Sequence, residues 1–197
     1  MRRLAAAALL FTCGVAHADD TPPATAALKG FRYVLKPGFT YQKPSQLYSP
    51  AVTQDITFTV SNHLGWAFPI GPIVLSPGAS VPVWFFDAGS DFLGPGGTYR
   101  PDLHLPGATL AVLGEIEVHL PLRYVSVYGL AGAGGAFYFG SNQQGGVFRG
   151  GGGAIVYPAK WIGIGMQLSY LAMSHAARGP TDGIEALEIV LPIEFRF

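Results

Sequence analysis

The chain has 197 residues, with twelve basic and twelve acidic residues and a formal net charge of zero. Charged residues make up only 12% of it, whereas apolar residues make up 49%. That charged share is about half of what ordinary soluble domains contain. The balanced charge excludes the basic surface expected of a nucleic-acid-binding protein. The single cysteine excludes a disulfide framework, and the length suits one domain.

Residues 1–18 have the organisation of a secretory signal peptide. Two arginines follow Met1, an apolar run extends from Leu4 to Val15, and Ala16-His17-Ala18 fits the small-x-small cleavage rule. Because the run is too short to span a bilayer comfortably, we predict cleavage after Ala18 and not a membrane anchor. Lipidation at Cys13 is the alternative, although the residues before it match a lipobox poorly. Residues 19–29 are predicted to be a flexible periplasmic lead-in, and residues 30–197 to be one folded unit.

Two long stretches lack Asp, Glu, Lys and Arg, one between Asp55 and Asp87 and one between Arg123 and Arg149. The first contains four prolines and the second seven glycines, so neither can form a transmembrane helix. A chain this apolar without membrane helices is explained by a closed β-barrel. Such a barrel pairs every backbone group between strands and exposes one apolar face to lipid.

Eight segments have roughly the length and the alternation of tilted transmembrane strands. They are 31–41, 53–64, 79–87, 108–120, 123–139, 145–157, 161–173 and 185–197. In 161–173 the apolar row Ile162, Ile164, Met166, Leu168 and Tyr170 is predicted to point outward, and in 31–41 the polar face holds Arg32 and Lys36. Short links at 121–122 and 158–160 would be periplasmic turns, and longer links at 42–52, 88–107, 140–144 and 178–184 would lie on the other side. The link 65–78 is long and proline-rich for a periplasmic turn. It indicates either a strand extension or a different register.

The last predicted strand ends on an aromatic residue. From Leu187 to Phe197 every second residue is apolar, and the other face mixes charged and small residues. This strand resembles the C-terminal strand of bacterial outer-membrane β-barrels, in which the last residue is typically Phe. The resemblance implies an eight-stranded antiparallel up-and-down transmembrane β-barrel in a Gram-negative-type outer membrane. It also implies contact with outer-membrane lipid and lipopolysaccharide, and insertion by the barrel-assembly machinery.

Glycine and aromatic residues fit such a barrel. The run Gly150–Gly153 and the glycines of 132–135 would lie on neighbouring strands, where glycine permits coiling and close packing. Neither run has the spacing of a phosphate-binding loop. Large aromatic residues near the predicted strand ends are expected in interfacial girdles, with core packing as the alternative. They are Trp66, Trp84, Trp161, Tyr99, Tyr124, Tyr128, Tyr138, Tyr157 and Tyr170.

Charged residues on the inward face of the predicted strands could carry chemistry. Carboxylates beside a histidine can transfer protons or bind a metal. In a narrow barrel, however, buried charges need partners, so an internal ion network is favoured. We predict no catalytic, cofactor-binding or metal-ligating residue. The inward candidates are Glu115, Glu117, His119, Arg123, Arg149, Glu188, Glu194 and Arg196, whereas Asp87, Asp91, Asp102 and His104 are expected to be solvated loop residues.

The segment 170–185 faintly resembles the lipid A 3-O-deacylase family, whose members are eight-stranded outer-membrane barrels with a His-x-Ser-Asn motif and a downstream Glu. Glu185 matches that Glu, but Leu171, Met173 and Ser174 stand where the motif's His, Ser and Asn would fall. Ser174 and His175 are adjacent and would point to opposite faces of a strand. No catalytic residue is therefore assigned.

Four functional hypotheses follow. The first is a non-enzymatic barrel with a structural role or an interaction role carried by its loops, above all by 88–107, which contains Phe92, Leu93 and Tyr99. The others are a lipid A-modifying hydrolase, a narrow channel, and a soluble periplasmic barrel that binds an apolar ligand. The oligomeric state stays open.

Overall fold

The computed structural model describes residues 28–42, 56–85, 108–139, 143–175 and 179–197. These residues form strands and turns, and no helix among them is long and apolar enough to cross a membrane. The strands are β1 (Gly30–Gln42), β2 (Ile56–Ile70), β3 (Ile73–Trp84), β4 (Ala108–Pro121), β5 (Val125–Phe139), β6 (Gln143–Ala159), β7 (Ile162–His175), β8 (Gly179–Val190) and β9 (Ile193–Arg196).

The strands close into a ring. From β1 to β8 each strand pairs antiparallel with the next along the chain, and β1 pairs with both β2 and β8. β8 and β9 are two parts of one strand, since both lie between β7 and β1. The interruption falls at Leu191-Pro192, where proline has no N–H to contribute to the ladder. The predicted eight-stranded antiparallel up-and-down barrel is therefore confirmed.

The connection predicted at 65–78 is a strand extension. β2 and β3 run through this region in register, with Gly65 opposite Gly78 and Ile70 opposite Ile73. Only Gly71 and Pro72 turn the chain, and Gly71 has φ 60°. A proline in a strand removes a single ladder hydrogen bond. The prolines of this segment therefore do not break the strands, and of the two alternatives left open for this link the strand extension is confirmed.

Other strand limits also differ from the prediction. β5 begins at Val125, because Arg123 and Tyr124 belong to the turn after β4, and Trp161 belongs to the turn before β7. β6 and β7 are longer than expected. The predicted strand residues 53–55 and 86–87 lie outside the described residues.

The barrel has two different ends. At the turn end lie Leu28, the C-terminal Phe197 and the three short turns at 71–72, 122–124 and 160–161. At the loop end the strands are joined by segments 43–55, 86–107, 140–142 and 176–178, which are outside the described residues. Short turns on one side and loops on the other are typical of outer-membrane barrels.

Alternate residues of each strand face outward, and most of the outward side chains are apolar. On β7 the exposed row is Ile164, Met166, Leu168 and Tyr170, with Met166 63% exposed. On β8 and the residue after it, Leu187, Ile189 and Leu191 are 45–55% exposed. These rows were predicted to point outward, and they do. A soluble barrel that binds an apolar ligand would need both rows to face a shared core, and their exposure on the outer wall favours the transmembrane barrel over that hypothesis.

Inward glycines allow the wall to coil tightly. A Cβ added to Gly134 would overlap the backbone oxygen of Val112 on β4, and one added to Gly151 would overlap that of Leu168 on β7. The role predicted for the glycine runs, close approach of neighbouring strands, is confirmed at these positions.

Candidate functional site

The lumen contains equal numbers of opposite charges. Four basic and four acidic side chains point inward from β1, β4, β6, β8 and β9, and each is at most 8% exposed. Their equal number matters because an unpaired charge in a dry interior is very costly. The eight residues are Arg32, Lys36, Arg149, Arg196, Glu115, Glu117, Glu188 and Glu194.

Arg32 is the central group of the half nearer the turn end. Its Nε and Nη2 atoms donate to the two carboxylate oxygens of Glu194 at 3.0 and 2.7 Å. Its Nη1 atom donates to Glu117 at 2.8 Å. Glu194 also pairs with Arg196, whose Nη2 donates to the Tyr157 hydroxyl at 2.8 Å. One guanidinium thus joins β1, β4 and β9, which together with the pairing of the strands fixes the closure of the barrel.

Arg149 is the corresponding group of the half nearer the loop end. It donates to Glu115 at 2.8 Å and to both oxygens of Glu188 at 2.8 and 2.7 Å. Lys36 connects the two halves, because its Nζ lies 3.0 Å from Glu117 and 3.9 Å from Glu115. The eight charges therefore alternate in sign along one continuous chain: Arg196, Glu194, Arg32, Glu117, Lys36, Glu115, Arg149 and Glu188.

Two histidines attach to the side of this chain. His63 Nδ1 lies 3.1 Å from Glu115, and its ring packs over the facing glycines Gly65 and Gly78. His119 Nε2 lies 3.1 Å from Glu117 and 3.0 Å from Arg32 Nη1, so this nitrogen can donate to the carboxylate or accept from the guanidinium, but not both at once. Both carboxylates of β4 are thus held by a basic side chain and an imidazole.

His63, Glu115 and Glu117 have the donor types of a divalent metal site, and their ligand atoms lie within 4.8 Å of one another. The ammonium group of Lys36 contacts both carboxylates of this group. It already supplies the positive charge that a metal ion would supply. A divalent ion added beside it would also leave the eight-residue chain with uncompensated positive charge, so we assign no metal here.

Apolar layers cover the charged layer on both sides. Toward the loop end the buried cluster is Trp84, Ala111, Leu113, Ala136, Val147, Leu171, Met173 and Ala186. Toward the turn end it is Leu28, Ala67, Val74, Tyr128, Leu130, Ile155 and Tyr157. A substrate or hydrated ion would have to displace one of these layers to reach the carboxylates. An interior filled with side chains is expected for eight strands.

No family model and no curated protein matches this chain. Among solved structures, the barrel is similar to the crystal structure of Neisserial surface protein A, with a TM-score of 0.59 and 10% sequence identity. The match covers 86% of this chain and 98% of that one. The fold is that of a small outer-membrane β-barrel. A weaker match, with a TM-score of 0.41 and 17% identity, is to Ail, the attachment invasion locus protein of Yersinia pestis; it covers 86% of this chain and 99% of that one.

Seven of the eight inward candidates from the sequence lie in the lumen, and they form the predicted ion network. Arg123 is the exception: it is exposed in the turn before β5, and its guanidinium carbon lies 5.0 Å from the centre of the Tyr124 ring. The sequence had placed Arg32 and Lys36 on the polar face of the first strand without giving them a role. The role of His63 was missed. Its signal was the period of two, which puts position 63 on the same face as Thr57, Thr59 and Ser61.

Three aromatic residues expected at the interfaces lie inside the barrel. Trp84 Nε1 donates to Glu188 at 3.2 Å, Tyr128 donates to Gln167 at 2.9 Å, and Tyr157 contacts Glu194 and Arg196. For these three the girdle prediction is wrong, because their polar atoms form hydrogen bonds with side chains inside the lumen. Trp66, Trp161 and Tyr170 are exposed on the outside. Tyr99 and the side chain of Tyr138 lie outside the described residues.

The resemblance to the deacylase family finds no support. Leu171 and Met173 are buried in the apolar layer of the lumen, whereas Glu185 is exposed on the outer wall opposite Ala172. The three positions therefore do not share a face. The side chains of Ser174 and His175, and the acidic loop residues 87, 91 and 102 with His104, lie outside the described residues.

Proposed function

We propose that this protein is an integral outer-membrane β-barrel without catalytic or channel activity, which acts through the segments at its loop end. The observation that carries the proposal is the combination of an apolar outer wall with a filled, charge-balanced lumen. The wall suits lipid as its surroundings. Because the lumen is filled, a partner would have to bind outside it, and the segments at the loop end are the longest ones available for that contact.

The outer wall supports membrane insertion. Among the described residues, twenty-nine large hydrophobic side chains are more than a third exposed, and every strand from β1 to β8 carries at least one of them. Monomeric soluble proteins rarely expose an apolar patch larger than a few hundred Å². A band that continues around a closed barrel is what a bilayer requires. Export through a signal peptide cleaved after Ala18 is part of the same proposal.

The filled lumen argues against conduction. Arg32, Arg149 and Lys36 are held in place by carboxylates on other strands, so the interior cannot widen without separating buried ion pairs. An open channel would need these pairs to part and one apolar layer to move.

The interaction role rests on composition. Segment 88–107 is the longest stretch between described strands that is rich in Gly and Pro, and it contains Phe92, Leu93 and Tyr99. Aromatic and apolar residues on a long loop are suited to a contact site. The segment lies outside the described residues, so its role stays a prediction.

Cell fractionation followed by gel electrophoresis with and without boiling tests this proposal. We expect the tagged protein in the outer-membrane fraction, with a mobility that changes on heating and an N-terminus at Asp19. Replacing 88–107 by a short Gly-Ser linker should keep the heat shift and abolish binding to a loop-directed partner. A protein found in the periplasm without a heat shift would contradict the proposal, as would stable single-channel openings in a planar bilayer.

A further inference from the structure

Exposed charges at the turn end have one sign. Lys29, Arg123 and Lys160 are exposed there, and no acidic side chain outside the lumen accompanies them among the described residues of that end. Asp19 and Asp20 belong to the undescribed segment before Leu28 and are not counted. Because the lumen is charge-balanced, the described side chains at this end carry a net positive charge, which exceeds the single negative charge of the Phe197 carboxylate.

The loop end has the opposite balance. The connecting segments at this end and the first residues of β8 hold three basic and six acidic residues. The basic ones are Lys43, Arg100 and Arg178, and the acidic ones are Asp55, Asp87, Asp91, Asp102, Asp182 and Glu185. The composition of the two ends therefore differs in sign, with only basic side chains described at the turn end and an acidic excess in the sequence of the segments that join the strands at the loop end.

Each turn-end cation lies next to an aromatic residue at the margin of the apolar wall. The guanidinium of Arg123 lies 5.0 Å from the centre of the Tyr124 ring. Lys160 is followed by Trp161, which is 60% exposed. Lys29 precedes Phe31, whose ring centre lies 6.1 Å from that of Phe197. Such neighbours are typical of the bilayer interface, where aromatic rings occupy the headgroup level and basic side chains extend toward phosphates.

We propose that Lys29, Arg123 and Lys160 bind the phosphate groups of anionic phospholipids in the leaflet at the turn end. This rests on the proposed membrane insertion. The guanidinium fork of Arg123 suits two phosphate oxygens, and the two lysines act as point charges around the rim. Each basic side chain near an anionic surface strengthens association roughly fivefold.

The test uses the mature chain in phosphatidylcholine vesicles that contain brominated phosphatidylglycerol or brominated phosphatidylcholine. In a Trp66→Phe background, Trp161 reports on lipid at the turn end, while Trp84 is buried in the lumen and gives a constant signal. We expect stronger quenching by the anionic lipid. The triple variant K29Q/R123Q/K160Q should lose this preference. The control K43Q/R100Q/R178Q removes the same charge from the loop end and should keep it.

Gel mobility with and without boiling is recorded for each sample, so that failure of the barrel proposal is distinguished from failure of this one. Equal quenching by the two lipids in a heat-shifted parent protein would overturn phospholipid binding while leaving the barrel intact. An equal loss in both triple variants would show a general charge effect and would also overturn it. If inorganic phosphate at constant ionic strength removes the preference as fully as the turn-end variant, the site takes free phosphate, and the lipid proposal is wrong.

Discussion

Arg32 and Glu194 are 162 positions apart in the sequence, yet they form a bidentate salt bridge. The Nε and Nη2 atoms of Arg32 donate to the two carboxylate oxygens of Glu194 at 3.0 and 2.7 Å. Arg32 belongs to the first strand and Glu194 to the last segment of the final strand. The pair therefore links the two ends of the chain across the point where the barrel closes. Its formation requires β1 and β9 to pair, which is the contact that closes the ring.

Loss of Arg32 should lower the free energy of unfolding. Arg32→Met leaves Glu194 with only Arg196 and Glu117 with only Lys36, so the lumen has one excess negative charge. Removing one partner of a buried pair typically costs about 3–5 kcal/mol. The double variant R32M/E194Q restores charge balance and should recover part of this loss. Urea unfolding in detergent micelles measures the free energy of unfolding of the two single variants and of the double variant. If the double variant loses the sum of the two single effects, the coupling described here does not exist.

The glycines of β5 and β6 should differ sharply in their tolerance of a methyl group. At Gly151 an added Cβ overlaps the backbone of Leu168, whereas at Gly129 the nearest atom would be 3.9 Å away. We expect Gly151→Ala to lower the free energy of unfolding by about 1–3 kcal/mol or more. Gly129→Ala should be neutral or slightly stabilising. Equal effects at the two positions would contradict the tightly coiled wall.

Phe197 should matter for assembly more than for stability. It is 80% exposed and contacts Phe31 only at the margin of the wall. Phe197→Ser should therefore change the unfolding free energy by less than about 1 kcal/mol. In cells, however, the amount of protein in the outer membrane should fall severalfold, if the assembly machinery reads the terminal residue. Phe31→Ser is the matched control, since it removes the other ring of the pair. A large loss of stability in purified Phe197→Ser would show a structural role instead.

The barrel should not conduct ions unless side chains that fill the lumen are removed. The intact protein should give no stable openings in a planar bilayer, because the charged layer lies between two apolar layers. Leu28→Ser weakens only the apolar layer at the turn end, so this variant should also give no stable openings. K36A/E117A removes one opposite-signed pair from the centre of the network and should give occasional small openings. Frequent openings of the unmodified protein would show that the layers do not seal the lumen.

The period of two revealed the outer wall because lipid constrains every second residue to be apolar. The rows from Ile164 to Tyr170 and from Leu187 to Phe197 were predicted correctly for that reason. The limits of β2 and β3 were not, because the proline-rich stretch 65–78 was assigned to a link, with a strand extension as one alternative, whereas Pro69 and Pro77 remain within paired strands. A local pattern cannot reveal which lumen charges meet. The partners Arg32 and Glu194, or His63 and Glu115, are set by strand register around the whole ring. Trp84 and Tyr157 were misplaced since an aromatic residue near a strand end fits either face.

The alternation of β7 provides the most direct test of the central claim that a filled barrel presents its apolar wall to lipid. Cys13 is the only cysteine in the sequence, so single cysteines at each position from 162 to 170 of the mature chain can carry a nitroxide label. In vesicles, labels at Ile164, Met166 and Leu168 should be accessible to oxygen dissolved in lipid and protected from a water-soluble nickel reagent. Labels at Gln167 and Ser169 should be protected from both. A water-accessible row at 164, 166 and 168 would contradict the account.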